Sequence, residues 1–132
     1  MRPERAEARA AARQARGRRG RQDGRWAEVA AAVLLMAKGY QILGFRLKTA
    51  FGEIDLLARR GKVLAIVEVK RRSSVQQALE ALTVNQRERL LRAGRNLVQH
   101  RPALRQLALR LDLIALAPGR FPRHVCDIFS DR

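Results

Sequence analysis

Gly52-Glu53-Ile54-Asp55-Leu56-Leu57-Ala58, then Arg59-Arg60-Gly61-Lys62, then Val63-Leu64-Ala65-Ile66-Val67-Glu68-Val69-Lys70 is the stretch on which the fold turns. Two runs rich in Val, Ile and Leu flank a short polar interval with a glycine, which predicts a tight β-hairpin with strands over 53–58 and 63–70. A two-residue loop of Arg60 and Gly61 sets Glu53 opposite Glu68, Asp55 opposite Ile66 and Leu57 opposite Leu64. Side chains alternate across a strand, so Glu53, Asp55, Glu68 and Lys70 share one face. Ile54, Leu56, Val63, Val67 and Val69 take the other, which is the expected core face. Opposed β-carbons lie roughly 5 Å apart and diagonal ones roughly 7–8 Å. Three acids that close repel one another and need a counter-charge, which Lys70 offers and a divalent cation would offer more fully.

Working outward, residues 25–38 are rich in Ala and Leu, and Gly39 stands where a helix would stop. This helix is apolar nearly all round and is expected to be packed on most sides. A strand over 40–48 follows, with Gly44 as a candidate bulge. Downstream, 81–100 reads as a second long helix ending before Pro102, with Leu82, Leu90, Leu91, Leu97 and Val98 on one face. A strand over 107–117, the turn Pro118-Gly119 and an edge strand over 124–129 complete the order. Helix, three strands, helix and one or two strands predict an α/β domain: a central mixed sheet flanked by two main helices. Residues 1–24 are Arg, Ala, Gln and Gly with almost no large apolar side chain, too little to offset ordering entropy, and are expected to form a disordered basic tail ahead of one domain over 25–132.

Charge narrows the function. Of 132 residues, 28 are Lys or Arg and 12 are Asp or Glu, a net +16. Residues 1–25 hold nine arginines against Glu4, Glu7 and Asp23, a net +6, which leaves +10 on the other 107 residues. A body this basic favours a polyanion, because binding nucleic acid releases counterions. No apolar run approaches the roughly 20 residues that span a bilayer, so no membrane association is expected. Arginines occupy the start, where a secretory signal would need an apolar segment. The lone Cys126 excludes an intrachain disulfide and a cysteine-based metal cluster, and the cytoplasm is the expected compartment.

The acids on the hairpin suit Mg²⁺ or Mn²⁺, hard cations that prefer carboxylate and carbonyl oxygens. Asp55 and Glu68 are the candidate ligands, with the Val69 carbonyl a further one. A metal there would acidify a bound water and stabilise charge on a phosphate. Lys70, two residues beyond Glu68, would orient that water or stabilise the developing charge. The plainer reading of the same residues is a solvated face whose acids pair with Lys70, Arg71 or Arg46.

The segments Gly52-Glu53-Ile54-Asp55-Leu56-Leu57-Ala58 and Val67-Glu68-Val69-Lys70-Arg71-Arg72 resemble the signature of the YraN family of bacterial endonuclease-like proteins, over roughly 24–116. That family lies within the restriction-endonuclease-like, PD-(D/E)XK group. The resemblance implies a restriction-endonuclease-like core in which Asp55, Glu68 and Lys70 form the phosphodiester-cleaving centre, with DNA repair or recombination as the setting. It also implies a helix glutamate near the metal, for which Glu28 is the candidate; Ala27 precedes it where the family usually has Gly. Where the family commonly carries a lysine at the start of the second helix, Gln86 stands here, followed by Arg87.

Glu53 is expected beside the metal, and Glu28 is the only acid of the first helix, costly there unless paired or coordinated. Arg71, Arg72, Arg87 and Arg92 are candidates for the phosphate backbone. Trp26 and Tyr40 are too few and too separated to make a stacking platform for single strands. His100 and His124 lack ligand-like spacing, and Asp112 reads as a structural acid paired with an arginine. The favoured reading is a metal-dependent nuclease acting on DNA. The alternatives are a catalytically silent nucleic-acid-binding module of the same fold and a basic protein on ribosomal RNA. A homodimer is considered, but no surface for it is readable.

Overall fold

The computed structural model describes residues 25–129; the expected tail over 1–24 lies outside the described residues. Helix α1 (25–37) leads into β1 (Gln41–Thr49), β2 (Gly52–Arg60) and β3 (Val63–Arg71). Helices α2 (Val75–Glu80) and α3 (Val84–Gln99), with a 3-10 turn at Pro102–Leu104, carry the chain to β4 (Ala108–Leu116) and the short β5 (Arg123–Val125). The five strands form one sheet in chain order. Its pairs are antiparallel except β3 with β4, which run parallel, as a helical crossover allows. This is the α/β, restriction-endonuclease-like architecture expected, a mixed sheet flanked by helices.

Both faces of the sheet are buried. On one side Leu57, Leu64, Ile66, Leu111 and Leu113 pack against Leu90, Leu91, Ala93 and Leu97 of α3. On the other, Leu56, Ala58, Ala65, Val67 and Ile114 pack against Ala31, Ala32 and Leu35 of α1 and against Tyr40. The expected division into a core face and an acidic face is therefore corrected: each face carries a core. Helix α3 comes close enough to the sheet that a β-carbon on Gly94 would lie 2.0 Å from Ile66 Cδ1. Glycine there costs helix propensity but permits the contact.

Two local expectations change and one holds. The hairpin turns at Gly61-Lys62, with Arg60 opposite Val63 and Leu56 opposite Val67, a register two residues from the expected one. Gly61 has φ +59° while Lys62 has no positive φ, so the glycine serves the first central position of the turn rather than the second. A two-residue slip keeps the paired side chains on their faces but removes the Glu53–Glu68 opposition: Glu53 has no paired residue on β3, and its partner on β1 is Lys48. The bulge on β1 does fall where glycine suggested, between Ile42 and Gly44. Finally, α1 buries one face only. Trp26, Val29, Val33 and Met36 stand exposed along its outer side, against the expectation of packing on most sides.

Candidate active site

Strict alternation along β2 fails just where the acids sit. Ile54 and Leu57, three residues apart, pack in the same cluster under α3, whereas Leu56 belongs to the cluster under α1. The paired β2–β3 ladder runs from Arg60–Val63 to Leu56–Val67 and goes no further. Beyond it, the Val69 N–H donates to Asp55 Oδ2 at 3.0 Å. A side-chain carboxylate thus takes the place of a backbone acceptor, which fixes Asp55 against β3 next to Glu68.

Glu68 and Lys70 follow on β3, which pairs in parallel with β4 at Leu113 and Ala115. Lys70 Nζ lies 3.4 Å from Glu68 Oε1, with the glutamate side chain 14% exposed. Burial pushes the Glu68 carboxyl up to about 7, and the Asp55 charge pushes the same way, while Lys70 offsets part of the rise. Two carboxylates and one ammonium in a largely dry position leave an excess of negative charge. Asp55, Glu68 and Lys70 are therefore together, as the sequence pattern anticipated.

Glu28 takes a different arrangement. Arg46 Nε donates to both of its carboxylate oxygens, each at 2.9 Å. Flanking pairs Phe45–Leu56 and Leu47–Ile54 place Arg46 opposite Asp55 on the neighbouring strand. The Glu28 hydrogen bond raises the Arg46 pKa against the cost of desolvation, and the charges of Glu28, Glu53 and Asp55 add to it. Arg46 adopts φ +50°, an uncommon backbone conformation for a side chain of its type. It links the helix acid to the acids of the hairpin. Its position was visible as one cation on the strand preceding them, but the strain and the two-pronged contact were not.

Two other candidates have internal partners. Gln86 closes a capping box at the start of α3: its Oε1 accepts from Thr83 N at 3.0 Å and its own N–H donates to Thr83 Oγ1 at 3.2 Å. Arg87 donates to the carbonyls of Leu82, Leu79 and Ile128 at 3.1, 3.0 and 2.7 Å. All three of its nitrogens are spent on backbone, so it clamps α2, the start of α3 and the C-terminal segment. Arg71 and Arg72 lie at the C-terminal end of β3, next to Lys70, and Arg92 is exposed on α3.

A second buried acid lies on β4. Asp112 is fully buried, and Arg110 grips it with Nε at 2.8 Å and Nη2 at 2.7 Å. His124 Nε2 lies 2.8 Å away, the Asp127 N–H donates at 3.0 Å, and Arg110 also bonds the Tyr40 hydroxyl. Burial alone would push Asp112 up, yet the bonds from His124, Arg110 and Asp127 hold it at about 2. The ligand atoms of Asp112, His124 and Cys126 lie within 4.8 Å of one another, a proximity that residue spacing did not reveal. Arg110 already supplies the positive charge that a cation would bring there, so the network closes on itself.

The oxygen donors of Asp55 and Glu68, with their unbalanced charge, fit a hard divalent ion. The fold and the arrangement of Asp55, Glu68 and Lys70 define a restriction-endonuclease-like domain with an acid–acid–lysine centre. The chain belongs to the Uncharacterised protein family UPF0102, whose pattern matches residues 27–116. It is similar to a UPF0102 protein of Caulobacter vibrioides (strain NA1000 / CB15N), 63% identical over 121 residues that cover 92% of this chain and 97% of the relative. A UPF0102 protein of Caulobacter sp. (strain K31) is 62% identical over 131 residues, 99% of this chain and 91% of its own. One from Maricaulis maris is 48% identical over 101 residues, 76% of this chain and 80% of its own. The family resemblance carried by the hairpin motifs is thereby confirmed. Among the described residues no helix is long and apolar enough to cross a membrane.

Proposed function

We propose that this protein is a nuclease of the cytoplasm that hydrolyses phosphodiester bonds in DNA with the help of Mg²⁺ or Mn²⁺. One observation carries the reading: Asp55, Glu68 and Lys70 converge beyond the end of the β2–β3 ladder, and Glu68 sits there with its carboxyl pushed up to about 7. Asp55 and Glu68 would hold the ion, and the charges of Glu28 and Glu53 stabilise the Arg46 cation near them. When bound, the ion supplies an acidified water and a Lewis acid for the scissile phosphate. The Val69 N–H keeps the Asp55 carboxylate aimed. Lys70 holds a positive charge beside Glu68, where it can steady the extra negative charge of the transition state. Arg71, Arg72 and Arg92 would meet the phosphate backbone, on a body that is strongly basic.

The capping role of Gln86 favours one competing reading, a binding module of the same fold without catalysis. Labelled duplex, single-stranded and branched DNA incubated with purified protein in Mg²⁺ or Mn²⁺ separates the two. The nuclease reading expects cleavage that Asp55→Ala and Lys70→Ala each reduce about a hundredfold or more, with DNA binding retained. Equal cleavage by the variants, or binding without cleavage by the parent chain, overturns it.

A further inference from the structure

An open cavity lies under the start of α1. Its volume is about 810 Å³, and it is walled by Trp26, Ala27 and Ala30 of α1, by Arg71 at the end of β3 and Arg72 just after it, and by Pro118 after β4. Arg72 N–H donates to Leu116 O at 3.1 Å, so this cavity lies outside the C-terminal ends of the two parallel strands. Open sheets of mixed α/β proteins commonly bind ligands at that end. Arg71 follows Lys70 on β3 and so points to the opposite face of the sheet, the one under α1.

The chemistry of the walls is specific. Most of the lining is apolar, the indole of Trp26 is 77% exposed, and two guanidinium groups stand at one side. An indole left bare on a molecule of net +16 is an ill fit to bulk water and a good fit to a flat π-face carrying an anion. A nucleotide has both. A base inside a duplex has its faces covered by its neighbours, so only an unpaired base can present one. The second aromatic that stacking along a strand would use, Tyr40, is buried and engaged with Arg110. Among the described residues Trp26 is thus the one aromatic side chain lining the cavity, which offers a stack for one base rather than for a run of them.

We infer that this cavity holds a single unpaired nucleobase stacked on Trp26, with Arg71 and Arg72 on its phosphates, so that the substrate class is DNA with a splayed, unpaired nucleotide. This rests on the nuclease reading above. Single strands, frayed ends and flaps belong to the class; continuous blunt duplex does not.

Trp26 is the sole tryptophan of the chain, so its emission reports on this cavity alone. The full-length protein, in EDTA to prevent cleavage, is titrated with a short oligothymidylate, with the same strand carrying abasic sites, and with a blunt hairpin duplex. Saturable quenching by the oligothymidylate and little by the abasic strand is expected. Trp26→Ala should weaken the oligothymidylate about tenfold and the duplex less than about twofold, and Trp26→Phe should recover most of the loss. Because Trp26 is exposed, the alanine variant should fold, and its melting temperature checks that it does.

Equal quenching by the abasic strand overturns the inference, since the phosphates alone would then account for the response. Emission shielded from acrylamide in the free protein overturns it too: the chain's own residues 1–24 would cover the indole or, if the shielding depends on concentration, a second copy would. Duplex binding or cleavage without any Trp26 response sinks this inference and leaves the nuclease reading standing. No binding to any of the three DNAs sinks both.

Discussion

Two carboxylates are buried in this sheet, and they are treated in opposite ways. Asp112 on β4 is matched at every lone pair by Arg110, His124 and the Asp127 backbone, and its carboxyl is held at about 2. Glu68 on β3 has Lys70 at 3.4 Å but shares its surroundings with Asp55, and its carboxyl is pushed to about 7. Burial acts on both in the same direction. Partners decide the outcome. An acid whose burial is offset by its neighbours holds a fold together, whereas one left in charge excess marks a place where something else is to bind. The contrast yields opposite mutational signs, which gives it experimental content.

The largest expected effect is at Asp112. Asp112→Ala leaves Arg110 charged and His124 without its acceptor in a buried position, and should cost about 3–5 kcal/mol in urea unfolding. A cost below about 1 kcal/mol would show that the network is decorative and the contrast empty. Next comes Arg87→Ala, which frees the Leu79, Leu82 and Ile128 carbonyls and should cost about 2–3 kcal/mol. DNA affinity at fixed salt should change less than about twofold, since the side chain is spent internally. A tenfold loss of affinity with unchanged stability would return Arg87 to the phosphate surface.

Acid should weaken the same network. The folded pKa of Asp112 lies below its ordinary value, so the folded state binds that proton less tightly than the unfolded chain does. Its stabilisation is complete above about 3.8 and is lost as pH falls toward about 2. The loss amounts to roughly 2 kcal/mol. Urea midpoints measured from pH 5 down to pH 2.5 should fall for the parent chain, and Asp112→Asn should flatten that limb.

Much of this could be seen in the residues themselves, and the rest had physical reasons to stay hidden. The hairpin, both long helices and the β4 strand follow from apolar periodicity, and the pairing of Asp112 with an arginine follows from Arg110 two residues away on the same strand. Glu68 and Lys70 share a face by strand alternation, whereas Asp55 joins them because its carboxylate accepts the Val69 N–H beyond the end of the ladder, a contact the expected register did not contain. The turn position was misread because glycine suits either central position, and only the backbone shows which. Helix α2 has six residues, too few for a periodic signal, and is set by the Ser74 cap on Gln77. Arg87 and Arg46 act through groups that are distant in sequence or through an unusual backbone angle, and no local pattern encodes either.

The smallest effect, and the sharpest, is a gain. Glu68 has its folded pKa raised from 4.5 to about 7, by burial first and by the Asp55 charge second. The folded state therefore holds that proton more tightly than the unfolded chain. Stability falls as pH rises from 4.5 to about 7 and stays lower above it. Glu68→Gln keeps the shape and removes the charge, so at pH 8 it should stabilise the metal-free protein by about 1 kcal/mol, a few degrees in melting temperature. Near pH 4.5 the parent and the variant should melt together. Millimolar Mg²⁺ or Mn²⁺ should raise the melting temperature of the parent at pH 8 and leave the variant nearly unmoved, because the ion and the substitution relieve the same repulsion. A variant that loses stability at pH 8 would mean that Lys70 already balances Glu68, and the acid would then belong with Asp112 among the structural ones.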